Sequence, residues 1–195
     1  LKLVLATSNK GKVREIQQFY KDYEVIPYSE FIDEFEIIED GITFKDNALI
    51  KARAVFNAIK MDNIIVLADD SGISVDVLGG EPGIYSARYA GKDANDKDNL
   101  YKLVQSLELH NVTNSKAYYT AAIAIVTKES EFCVHGWMYG TVLNEVKGDG
   151  GFGYDPIFVP EGYDKTLGEL NNEIKQKISH RAKALSLAKV ILQTL

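Results

Sequence analysis

The chain has 195 residues, 46% of them hydrophobic and 26% charged. That composition argues against disorder, and a chain of that length can bury roughly 70% of its unfolded surface, so it needs no staples. Twenty-two Lys and Arg against 28 Asp and Glu leave a net charge of −6, so no basic field exists to hold nucleic acid by its phosphates.

No linker, repeat or low-complexity stretch interrupts the chain, so one domain over 1–195 is expected. No signal-peptide pattern opens it and no apolar run reaches membrane-spanning length, which implies a soluble protein with no membrane role. Lys2–Ala6 reads as a short buried strand. Thr7-Ser8-Asn9 then offers cap chemistry for a helix with Val13, Ile16, Gln17 and Tyr20 near one face. Tyr23–Pro27 reads as a second strand. Thr43 and Asp46 form a capping-box pattern, and Phe44, Ala48, Ala52, Val55 and Ile59 make a helical stripe to about Lys60. Asn63–Ala68 is a strand that delivers straight into Asp69-Asp70-Ser71-Gly72.

Gly79–Gly83 is a turn-rich loop and Asp93–Glu108 an amphipathic helix. Lys116–Lys128 and Glu131–Val142 read as an antiparallel hairpin. Its single cysteine, Cys133, excludes intrachain disulfides, cysteine-based zinc sites and iron–sulfur clusters, and fits a reducing cytoplasm. Cys133 itself reads as a strand residue rather than a nucleophile. The glycine-dense loop Gly148–Gly153 leads to a strand at Ile157–Val159, and Ser179 caps a last helix to about Gln193. Strands that alternate with helices around a hairpin make an α/β fold with a mixed sheet.

Four segments carry residues suited to chemistry. Thr7-Ser8-Asn9-Lys10-Gly11-Lys12 joins a strand to a helix start, where unpaired N–H groups and the helix dipole favour an anion; a plain cap with solvated lysines fits equally. Asp69-Asp70-Ser71-Gly72 places two carboxylates at the carboxyl end of a strand, where open α/β sheets bind ligands. Such a pair suits a hard divalent cation, or a division between base and metal ligand; the alternative is an Asx turn. Gly148–Gly153 matches G-x-G-x-x-G, but no helix opens into Tyr154-Asp155-Pro156, so the dinucleotide-binding reading fails. What remains is flexible backbone around Phe152, open to a flat ligand. Lys175, Ser179, His180 and Arg181 set cations near a helix N-terminus, which is unfavourable without an acceptor nearby. His110 and His135 lack metal-ligand spacing and read as structural.

Taken together, the stretches LATSNKGKVREI, EDGITFKDNALIKA, LADDSGISVDVLGGEPGIYSARYAG, GGFGYDPIFVP and KISHRAKAL resemble the inosine triphosphate pyrophosphatase family, in order and over nearly the whole chain. The resemblance implies a long central mixed sheet flanked by helices, with two lobes and an active-site cleft between them. It implies a homodimer that uses Mg²⁺ to cleave ITP, dITP and XTP to monophosphate and pyrophosphate. By position, Thr7, Asn9 and Lys12 look like the triphosphate cradle, Asp70 like the general base with Asp69 beside it, Glu39 like the acidic metal ligand and Ser71 like a substrate contact. Phe152, Gly153, Tyr154, Asp155, Lys175, His180 and Arg181 match the set that recognises the base. A pyrophosphatase for modified pyrimidine or methylated nucleotides, and a nucleotide sensor without catalysis, are the alternatives.

Overall fold

A computed structural model describes residues 2–195; the start of the chain at Leu1 lies outside them. Its elements are β1 (Lys2–Leu5), α1 (Lys10–Phe19), β2 (Val25–Pro27), α2 (Phe44–Ile59), β3 (Ile64–Val75), α3 (Asp96–Leu109), β4 (Asn114–Val126), β5 (Glu131–Leu143), β6 (Phe158–Pro160), α4 (Asn172–Ile178) and α5 (His180–Leu192). The strands form one six-stranded mixed sheet in the order β2-β1-β3-β4-β5-β6. β1 runs parallel to β2 and β3, in register Leu3↔Val25 and Leu5↔Leu67, whereas β5 and β6 are antiparallel. Among the described residues no helix is long and apolar enough to cross a membrane.

The chain divides into two compact units: residues 1–70, 121–136 and 184–195 in the first, 71–120 and 137–183 in the second. The units interleave in sequence, which is why no linker is visible along the chain. In the first unit the near-continuous apolar strands bury both faces, as parallel strands covered on two sides must. Leu3, Leu5, Ile65, Leu67, Ala121 and Ile123 pack with Ile16 and Tyr20 of α1 and Ala184, Leu185 and Ala188 of α5. The residues between them, Val4, Ile64, Val66, Ala68, Ala122 and Ala124, pack with Ala48, Ala52, Val55 and Ile59 of α2. In the second unit Leu100, Leu103 and Leu107 of α3 share a core with Ile73, Val75, Tyr119, Val142 and Phe158.

Most helix ends are where the capping residues put them. Asn9 caps α1 through the Lys12 N–H, Thr43 caps α2 through Asp46, and Asn95 closes a full capping box with Asp98 on α3. Two expectations need correction. Asp69-Asp70-Ser71-Gly72 does not leave its strand: β3 runs on to Val75. What ends at Leu67 is only the parallel pairing, because β1 stops at Leu5. Asp155–Ile157 is a 3-10 turn, so β6 starts at Phe158. Residues 172–178 form α4, a short helix capped by Asn171 that the sequence pattern did not reveal.

Candidate active site

Side chains alternate between the two faces of a strand, and that rule builds the first cluster. Asp69 shares its parity with Leu67 and faces α1; Asp70 shares its parity with Ala68 and faces α2. Lys12 Nζ accordingly meets Asp69 Oδ2 at 2.7 Å, and Lys51 Nζ meets Asp70 Oδ1 at 2.8 Å. Lys51 also holds Glu39 Oε2 at 2.9 Å, so one ammonium bridges two carboxylates. Two adjacent aspartates are thus kept apart by the pleat and matched to two different lysines.

The electrostatics of this group are finely opposed. Burial pushes the Asp70 carboxyl above its ordinary range; Lys51 and Lys12 pull it down and Glu39 pushes it up again, with a net rise. Burial lowers the Lys51 ammonium, but Asp70 and Glu39 outweigh it and hold it above the usual lysine value. Asp70 Oδ2 is buried and accepts no hydrogen bond among the described residues. Asp70 and Glu39, drawn together by Lys51, offer hard oxygen donors that fit Mg²⁺ or a similar cation, while Asp69 stands on the α1-facing side of the strand with Lys12. Among the described residues no three His, Cys, Asp or Glu form a metal cage by themselves.

Of the amino-terminal loop, Thr7 Oγ1 accepts the Asn9 N–H and Asn9 Oδ1 accepts the Lys12 N–H. The first turn of α1 carries no acidic residue, so its end stays favourable to an anion. Ser8, Lys10 and Gly11 are exposed. Lys51 is the residue that sequence reasoning missed. A signal existed: Lys51 lies between Ala48 and Ala52 on the stripe of α2 that faces the core, where an unpartnered lysine is not tolerated. Lys51→Met keeps the stem and removes the ammonium, leaving Asp70 and Glu39 without their shared cation. A loss of about 3 kcal/mol is expected, the low end for a buried pair because Glu39 is partly exposed. The melting temperature should fall by roughly 6–12 °C; a wild-type value would show that the carboxylates do not depend on Lys51.

The second cluster lies within the second unit. Phe152 heads the glycine loop, with Lys175 Nζ 4.2 Å and Arg181 Cζ 5.8 Å from its ring centre. Asp155 Oδ2 accepts from Lys175 Nζ at 2.5 Å and from the Phe152 N–H at 2.9 Å. Asp155 therefore ties the aromatic shelf to the lysine of α4. Gly151 has φ +76°, and a Cβ there would stand inside the Asp155 carboxylate, so only glycine fits. The Gly153 N–H donates to Asp96. Tyr154 is buried in the core and its hydroxyl donates to the Ser86 carbonyl, which places it beneath the loop. Arg181 is 2% exposed and donates to Ser71 Oγ. His180 stacks flat on Tyr119, centroids 4.6 Å apart. Ser179 ends α4 and caps α5 through the Ala182 N–H.

Cys133 is half-buried on β5, and burial pushes its thiol up to about 11. At pH 8 its thiolate fraction is on the order of a hundredfold below that of a free cysteine. Alkylation by iodoacetamide should be slower by a similar factor in the native protein; labelling at the rate of the denatured chain would overturn this. His110 bonds the Ser106 carbonyl at the end of α3.

Known proteins resemble this chain along its whole length. The chain is 67% identical to the dITP/XTP pyrophosphatase of Sulfurimonas denitrificans and 57% identical to that of Nautilia profundicola, with 99–100% of each protein covered. The solved Ham1 protein of Staphylococcus aureus superposes with a TM-score of 0.87 at 38% identity, over 100% of this chain and 99% of that one. The HAM1 protein of Coxiella burnetii gives 0.88 at 37%, with full coverage of both. The Ham1 family pattern itself matches residues 3–190. By family pattern, by sequence and by fold, the chain belongs to the Ham1 family.

Proposed function

We propose that this protein hydrolyses dITP, ITP and XTP to the monophosphate and pyrophosphate, with Asp70 as general base and Mg²⁺ as its cation. The observation that carries the reading is Asp70: a buried carboxylate with one oxygen held by Lys51 and the other, Oδ2, without a partner. Relatives at 67% and 57% identity bear the name dITP/XTP pyrophosphatase, which supports the choice of substrate.

Thr7, Asn9 and Lys12, with the N-terminus of α1, receive the phosphate chain. An acidic protein needs such local cations and dipoles to bind a tetra-anion. Glu39 and Asp69 would hold the cation, which when bound polarises the phosphates and offsets their charge. Asp70 Oδ2 takes a proton from water as the water oxygen attacks the α-phosphorus, and the bond from that phosphorus to the bridging oxygen breaks. Pyrophosphate leaves with the bonding pair. Lys51 keeps Asp70 Oδ1 fixed so that Oδ2 is the oxygen presented. Phe152 stacks on the purine, and Lys175, His180 and Arg181 face its edge.

The test is product analysis on a panel of ITP, dITP, XTP, GTP and ATP. Pyrophosphate should equal monophosphate, with preference for the first three and loss of turnover in chelator. Stepwise orthophosphate release, or full activity in chelator, overturns the reading.

A further inference from the structure

The segment that brings Glu39 to Lys51 has no regular secondary structure between the 3-10 turn at Tyr28–Glu30 and the start of α2. Two side chains of α2 hold it by polar contacts, Lys51 at Glu39 and Asn47 at Gly41. Asn47, 0% exposed, accepts the Gly41 N–H on Oδ1 at 2.9 Å. An amide N–H only donates, so the atom that faces it must be the oxygen, and Nδ2 is thereby directed elsewhere. Asn47 Nδ2 is buried with no hydrogen-bond partner among the described residues. A buried orphan donor is unfavourable, and an alanine or leucine on this face of α2 would avoid it. What the asparagine supplies in exchange is the Oδ1 clamp.

Gly41 is shaped for that clamp. A Cβ on Gly41 would lie inside van der Waals distance of Asp46 Cβ, Asn47 Oδ1 and the Asn47 N–H. The loop therefore passes against the first turn of α2 only because residue 41 has no side chain. Asn47 and Lys51 stand four residues apart, on one face of the helix. Asn47 fixes the loop two residues beyond Glu39, and Lys51 fixes Glu39 itself.

We infer that Asn47 and Gly41 form a positioning clamp that sets the Glu39 carboxylate for the divalent cation. This rests on the reading of Glu39 as a ligand of that cation. Partners behind a metal ligand commonly carry 10–100-fold of its affinity, so Asn47→Ala and Gly41→Ala should each weaken cation binding by on the order of tenfold. Asn47→Asp keeps an acceptor for the Gly41 N–H and should retain binding.

The experiment titrates Mn²⁺ into each folded variant and reads free Mn²⁺ by electron paramagnetic resonance, alongside the Mg²⁺ concentration for half-maximal pyrophosphate release. Both should shift together in Asn47→Ala and Gly41→Ala, with the ITP/ATP preference unchanged. In a Glu39→Gln background neither substitution should add to the loss. A merely structural role would lower the melting temperature and leave Mn²⁺ affinity at the wild-type value, which overturns the clamp. If Asn47→Ala does not fold, Gly41→Ala, outside the helix, decides alone. If Glu39→Gln itself leaves Mn²⁺ binding intact, it is the assignment of Glu39 that fails.

Discussion

Asp70→Asn should fold, bind nucleotide and lose kcat by on the order of 10²–10⁴, the usual loss when a general base is removed. The amide keeps an oxygen where Lys51 Nζ now meets Asp70 Oδ1, and Glu39 still balances the lysine charge, so the fold has no reason to fail. Asp69→Asn acts differently. Its carboxylate pairs with Lys12 rather than Lys51, and in the proposed role of cation ligand its loss should weaken apparent cation affinity more than it lowers the saturated rate. Steady-state kinetics across a Mg²⁺ series distinguish the two. Near-normal kcat in Asp70→Asn would pass the role of base to Asp69 or Glu39.

Arg181→Ala should cut kcat/KM for ITP strongly and for ATP little. Inosine and xanthine carry a keto oxygen at position 6, an acceptor, where adenine carries an amino donor. Lys175 and Arg181 can only donate, and His180 can donate from either ring nitrogen according to its protonation. Both cations are almost fully enclosed, and a buried polar mismatch can discriminate by up to about 10⁴ where shape alone gives far less. A Phe152 ring stacked on the base, as proposed, would do so without regard to position 6, so Phe152→Ala should weaken both nucleotides by similar factors. Arg181 fills the interior as well as carrying charge, so Arg181→Met, which keeps the apolar stem, guards against simple unfolding. The decisive quantity is the ITP/ATP ratio of kcat/KM: if it is unchanged in both Arg181 variants, Arg181 does not read the base.

Much of this protein was legible along the chain because its signals are local. A cap residue satisfies N–H groups two or three positions away, and Asn9 and Thr43 mark their helices where sequence places them, whereas Asn95 starts α3 at Asp96, three residues after the expected Asp93. Apolar runs such as Ile64–Ala68 announce strands buried on both faces. The order of five motifs announced the family. The extent of β3 was not legible, because Asp-Asp-Ser-Gly is turn chemistry by local preference. Pairing within the sheet overrides that preference and carries the strand to Val75.

Sequence alone also determined which residue types could do chemistry: two aspartates, a capped anion loop, an aromatic in a glycine loop and cations at a helix start. Only the tertiary structure decided what each one touches. The pleat turned Asp69 toward Lys12 and Asp70 toward Lys51, and helix register brought Lys51 and Asn47 onto one buried face of α2. Asp155, which the resemblance sets among the base-recognition residues, also holds Lys175 and the Phe152 backbone. The physical reason is common to all of these. A charged side chain inside a protein is set by the partner that offsets its desolvation, and here those partners lie 19, 20 and 57 residues away in sequence, a distance that no local pattern spans.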